Sequence, residues 1–277
     1  MKCLVNLKFS SIRYLILVPH LLVSAWCLAQ KPDAEYEKVK AAMVAKFQNA
    51  LPGKFGSYVK GVAEVIVTDE KILALTFDAC GGPHGNGYDE ELLVWLRSQK
   101  IQATLFVGGL WIDAHPDLMK VLAHDTLFEI ENHGLRHRPC SINGQSRYGI
   151  HGTENVGQAV DEIELNARKI LQITHRKPVF FRSATATTDE ACGQIARELG
   201  EQIISYSVLS GDAIGGTSTE VIRDNIVKKA HNGAIVLMHM NHPEWNGYEA
   251  LREAIPHLRE MGYTFVKLQY RALNGEH

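Results

Sequence analysis

Five short apolar runs in this chain each lead into a polar residue able to do chemistry. Residues 72–77 end at Asp78, and 127–130 lead into Asn132, His133 and His137. Residues 179–181 end at Arg182, 203–208 lead to Asp212, and 234–238 end at His239. A carboxylate, a histidine pair, an arginine, a second carboxylate and a lone histidine are parts for metal-assisted hydrolysis. The i, i+4 spacing of His133 and His137 would set both imidazoles on one face of a helical turn, where neutral ring nitrogens bind zinc. Asp78 is either a general base or a helix cap. Arg182 either grips a carboxylate or faces solvent. Asp212 either orients an imidazole or closes a turn in Ser210-Gly211-Asp212. His239, flanked by Met238 and Met240, is either a general acid or a hydrogen-bonded core histidine. Taken singly, each structural reading is the commoner one. Six such residues at five successive run ends favour the catalytic reading.

Something must carry these residues to one place. Apolar runs of four to six residues bounded by turn signals read as buried parallel strands. Between them the pattern predicts helices over 88–99, 116–124, 156–173, 189–199, 220–230 and 249–261, with further strands at 103–107 and 263–268. Strand–helix alternation of this kind argues for βαβ units, and right-handed crossovers around six or seven strands close into an α/β barrel. Such folds place their active sites at the C-terminal ends of the strands. Residues 63–67 and 72–77 flank the turn Thr68-Asp69-Glu70-Lys71 and are expected to pair as a hairpin. Residues 34–50 read as a helix packed outside the barrel. The stretch 138–155, rich in Gly, Ser and Asn and carrying Tyr148 and His151, reads as a long loop, a frequent place for function.

The 277 residues are 45% hydrophobic and 22% charged, ordinary for one large globular domain. A net charge of -2 with no basic run argues against nucleic acid as a partner. Lys2, Lys8 and Arg13 precede an apolar stretch of 16 residues, 14–29, which ends in Cys27-Leu28-Ala29. We read 1–29 as a cleaved secretory signal, 30–62 as a helical extension and 63–273 as the barrel domain. The mature chain is therefore expected outside the cell or in a periplasm, without stable membrane insertion. It keeps 26 Lys+Arg against 31 Asp+Glu and three cysteines, Cys80, Cys140 and Cys192. The sequence leaves open either a Cys80–Cys140 disulfide, if the two loops face each other, or three reduced thiols.

The ordered set Thr76-Phe77-Asp78, Asn132-His133 with His137, Phe181-Arg182, Asp212 and Leu237-Met238-His239 resembles the motifs of the polysaccharide deacetylases, carbohydrate esterase family four. The resemblance covers roughly 63–268. It implies a distorted (β/α) barrel of about seven strands and one divalent metal ion, usually zinc. It also implies the removal of acetyl groups from N-acetylated sugars in a polysaccharide. Carried over by motif, His133 and His137 are metal ligands and Asp78 is the general base, oriented by Arg182. His239 is the general acid, positioned by Asp212. The chain departs from the pattern in three places. Ala79 stands where the family has a second, metal-binding aspartate, so the missing donor falls to Asp78, Cys80, His84 or Asp89. The arginine motif continues Ser183-Ala184-Thr185-Ala186-Thr187. The last motif runs on through Asn241-His242-Pro243-Glu244-Trp245, where Trp245 either stacks on a sugar or packs internally. Two rival readings remain: a catalytically inactive glycan-binding module of the same fold, and a deacylase of a non-sugar amide or ester.

Overall fold

The computed structural model describes residues 33–275; the expected signal segment, 1–29, lies outside them. No helix among the described residues is long and apolar enough to cross a membrane. A helix at Ala34–Phe47 comes first, capped by Asp33. Eleven strands follow: β1 (Phe55–Gly56), β2 (Val62–Ala63), β3 (Ile72–Ala79), β4 (Ala103–Val107), β5 (Phe128–Asn132), β6 (Phe180–Phe181), β7 (Thr188–Asp189), β8 (Gln202–Ile204), β9 (Val208–Leu209), β10 (Ala234–His239) and β11 (Thr264–Phe265). β1 and β7 form a small antiparallel ladder. All the others join one parallel sheet ordered β2-β8-β6-β5-β4-β3-β10-β9, with β11 paired to the start of β3.

The expectation of an α/β fold with a curled parallel sheet holds, with eight strands along the path rather than about seven. The extra strand comes from 203–208, which is two strands and not one. β8 pairs with β2 and β6 near one end of the sheet, and β9 pairs with β10 at the other. Three residues, 205–207, join them, a span of at most about 14 Å even fully extended. The two ends of the sheet are therefore drawn together, and the sheet bends into an incomplete barrel.

β3 is an interior strand with all eight residues buried, as a strand covered on both faces must be. Its neighbours take up both edges: β10 on one, β4 and β11 on the other. The hairpin expected between 63–67 and 72–77 consequently does not form. Val65 and Ile66 bridge Ala234 and Leu273 instead. The helix expected over 156–173 is present but interrupted. It runs as Val156–Val160, a π-turn at Asp161–Leu165, and Asn166–Thr174. The first helix packs on it through buried Tyr36, whose hydroxyl bonds Asp161.

Candidate active site

Parallel register brings the ends of β10, β3, β4, β5 and β6 level. His239 is opposite Asp78, Val107 opposite Asn132, and Asn132 opposite Phe181, next to Arg182. Asp78, Arg182 and His133 are buried.

Arg182 is enclosed completely and bonded in every direction. Its Nη1 donates to Asp78 Oδ1 and Thr76 Oγ1, both at 2.8 Å, and its Nη2 donates to the Ser205 carbonyl at 2.9 Å. The guanidinium stacks over Phe106, 4.1 Å from the ring centre. A buried arginine tolerates that position only because a carboxylate and carbonyls match its donors. Burial pushes the Asp78 carboxyl up, but the charge and hydrogen bond of Arg182, with the pull of His239, outweigh it and hold Asp78 below the ordinary carboxylate range.

His133 Nδ1 lies 2.8 Å from the Arg182 carbonyl oxygen. A carbonyl only accepts, so Nδ1 carries the proton and the Nε2 lone pair is free. That Nε2 stands 3.7 Å from both Asp78 Oδ2 and Cys80 Sγ. His137 stacks obliquely on His133, ring centres 5.0 Å apart. Burial pulls both imidazoles down, His137 to about 3, with the neighbouring His133 adding to the shift at His137. Both are thus neutral at physiological pH, the state in which an imidazole ligates a metal. One ligand atom each from Cys80, His133 and His137 lies within 4.8 Å of the others.

The pair is not on a helical turn, contrary to the i, i+4 reading. Gly134 has φ +87° and His137 φ +56°, so the segment after β5 is a tight irregular loop. A Cβ at residue 134 would come within 2.5 Å of Glu162 Oε1. Glu162 is what shapes the loop. It accepts the backbone N–H groups of Arg136 and Arg138 at about 3.0 Å, and its own carbonyl accepts that of Leu135 at 2.9 Å. Burial pushes Glu162 up to about 7 against the pull of those N–H groups. The π-turn swings Glu162 inward, a common use of such bulges near functional sites. Asn132 joins the same support: its side chain donates to the Ile163 carbonyl and Glu201, and accepts from the Gly134 N–H and Asn166.

On the other side, His239 Nδ1 meets Asp212 Oδ1 at 3.1 Å, and its backbone N–H donates to Oδ2 at 2.7 Å. Burial lowers the imidazole, but the Asp212 charge and hydrogen bond outweigh it and leave His239 above the usual histidine range. Asp212 is fixed in turn by the Ser210 hydroxyl and the Ala213 N–H. Trp245 stands edge-on to His239, ring centres 5.5 Å apart, and stacks flat on His242 at 3.7 Å.

All six residues singled out in the sequence therefore converge. Of the alternative donors, Asp89 caps the helix Glu90–Ser98 through the Leu92 N–H, His84 is exposed, and Cys80 faces the histidines. A Cys80–Cys140 disulfide is not formed. The three cysteines among the described residues are free, and buried Cys140 lies beside Cys192 while Cys80 faces His133. Glu162, Asn166 and Glu201 went unnoticed in the sequence, since an acidic or amide residue in a helix or turn reads as solvated surface.

Residues 66–204, half of the chain, match the family model of polysaccharide deacetylases. The chain belongs to the polysaccharide deacetylase family. It is 28% identical over 242 residues to the peptidoglycan-N-acetylmuramic acid deacetylase PdaA of Bacillus subtilis, covering 86% of this chain and 80% of that protein. It is 27% identical to the peptidoglycan-N-acetylglucosamine deacetylase of Bacillus cereus, covering 73% and 88%. The solved structure of Bacillus subtilis PdaA, a family 4 carbohydrate esterase, superposes with a TM-score of 0.63 at 25% identity, covering 82% of this chain and 86% of that one. In this polysaccharide deacetylase the resemblance seen at the motifs thus extends through most of the fold.

Proposed function

We propose that this protein is a divalent-metal-dependent hydrolase that removes N-acetyl groups from the glycan strands of peptidoglycan or a related extracellular polysaccharide. The observation that supports it most is one cluster in which a carboxylate whose ionised form Arg182 favours and an imidazole whose protonated form Asp212 favours flank two histidines that burial pulls toward the neutral form. Zinc suits those imidazoles. An acidic mature chain, exported after signal cleavage to the cell exterior or a periplasm, suits a glycan rather than a nucleic acid.

His133 and His137 would hold the ion. When bound, the ion supplies the Lewis acidity that polarises the acetyl carbonyl and eases deprotonation of the attacking water. Asp78 takes that proton on Oδ2, because Oδ1 is committed to Arg182. His239, with Nδ1–H retained by Asp212, gives the Nε2 proton to the amine nitrogen as the C–N bond breaks. Acetate and a free amino sugar leave. Trp245 offers an aromatic face beside His239 for a sugar ring.

The test is acetate and free-amine release, in equal amounts, from N-acetylated glycan strands by the zinc-loaded mature chain. Cleavage of simple acetyl esters with no attack on any N-acetylated glycan would overturn the sugar assignment. Glycan binding with no bound metal and no release would identify a binding module instead.

Two consequences follow from the supports. Asp212→Asn removes the charge that raises His239, so the alkaline limb of kcat/KM, set by loss of the His239 proton, should move to lower pH. An unmoved limb would release His239 from the acid role. Glu162→Ala frees the loop that holds His137, and metal affinity should drop about 10–100-fold, as for other groups that orient ligands. Isothermal titration with zinc reads this directly.

A further inference from the structure

We propose that Cys80 is the third protein ligand of the metal, so that this chain holds its ion in a Cys80–His133–His137 site of thiolate character. The proposal rests on the metal-dependent reading above and concerns the donor that replaces the carboxylate missing at Ala79.

Ala79 has no donor atom, and its methyl group is fully buried in the main core, where Ala79 pairs with Val107 of β4. Successive residues of a strand point to opposite faces, so Asp78 faces the site and Ala79, the last residue of β3, points away, while Cys80 just past the strand end brings its thiol to His133. The chain then turns sharply. Gly81 has φ +79°, and a Cβ there would sit 2.3 Å from the Trp111 backbone nitrogen. A Cβ at Gly108 would sit 2.6 Å from the Cys80 carbonyl oxygen. These two contacts clamp the Cys80 backbone between β3 and the helix Gly109–Ala114, which fixes the direction of the thiol.

The distance fits. Zn–S near 2.3 Å and Zn–N near 2.0–2.1 Å at a tetrahedral angle separate sulfur and nitrogen by about 3.6 Å. Cys80 Sγ and His133 Nε2 are 3.7 Å apart, with the His133 tautomer already set for ligation by the Arg182 carbonyl. Of the other donors, Asp89 is engaged in its helix cap, His84 is exposed, and Asp78, bonded to Arg182 through Oδ1, keeps Oδ2, also 3.7 Å from His133 Nε2, for the base role.

A thiolate brings the same single negative charge as the carboxylate it replaces, so the charge of the loaded site is kept. Three protein ligands leave the fourth tetrahedral position open, as catalytic zinc sites do. What changes is softness. Sulfur favours zinc over the hard ions magnesium, calcium and manganese, which prefer oxygen.

Cobalt(II) titration of the metal-free mature chain tests this without measuring turnover. The expected result is one equivalent bound with a near-ultraviolet sulfur-to-cobalt charge-transfer band. Cys80→Ser should lose the band and bind on the order of 10²-fold more weakly or worse, since a direct ligand matters at least as much as the groups behind it. Cys140 and Cys192 remain in that variant, so loss of the band assigns it to Cys80. Cys80→Asp should restore binding without the band and shift preference from zinc toward manganese. Cobalt bound by the wild type without a charge-transfer band, or a band retained in Cys80→Ser, would overturn the proposal and leave the hydrolase reading standing. A wild-type chain that binds no cobalt would overturn both.

Discussion

His137→Ala protein should purify without bound divalent metal, and its acetate release should fall by more than the 10²–10³-fold that a single oxyanion donor is typically worth. The ion both polarises the carbonyl and eases deprotonation of water, so losing it removes two contributions together. His133→Ala should do the same, but it is the less clean variant. The His133 ring also satisfies the buried Arg182 carbonyl, and leaving that acceptor unpaired costs about 1–3 kcal/mol. His137 carries no such duty toward Arg182, so a metal-free His137→Ala chain should keep its far-ultraviolet circular dichroism and most of its thermal stability. Elemental analysis of chains purified without chelator reads the first half of the expectation, and acetate release reads the second. Metal at wild-type stoichiometry in His137→Ala would remove the loop after β5 from the site.

The residues with chemistry are legible in the sequence because the barrel puts them at regular addresses, one after each buried strand. Apolar runs mark the strands, and the polar residue at the end of each run sits on the barrel's C-terminal rim. Asp78, Arg182 and His239 can be read off that pattern. The supports cannot. Glu162 reaches His137's loop only because a π-turn rotates it inward, and a helical pattern of period 3.6 does not announce a five-residue turn. The His133–His137 spacing mimics a helix, while Gly134 with its positive φ makes the segment a loop. The break in 203–208 is hidden because Ser205, Tyr206 and Ser207 sit between apolar residues that fit one strand as well as two. Yet that break draws the sheet's ends together, and the Ser205 and Ile204 carbonyls at it receive Arg182.

The curling of the sheet and the state of Asp78 are thus one matter. Arg182 is anchored in the seam and presents a fixed positive charge to the base. Asp78→Asn keeps the shape and removes the charge, so it should lower kcat/KM by about 10²–10⁴-fold, the range for a lost general base. It should also destabilise the fold, because truncating one partner of a buried ion pair costs up to about 3–5 kcal/mol. The remaining bonds of Arg182 to Thr76 and Ser205 place the expected loss toward the lower end of that range. The sign with pH is fixed by the direction of the shift. Asp78 is depressed in the folded chain, so its stabilisation is fully present above the ordinary carboxylate pKa and is lost as pH falls through the depressed value. Urea unfolding of wild type and Asp78→Asn should therefore differ most near neutrality and converge in strong acid. Equal stability of the two at neutral pH would mean that Asp78 is not held ionised by Arg182. Unchanged turnover in Asp78→Asn, measured well below its melting temperature, would take the base role away from it.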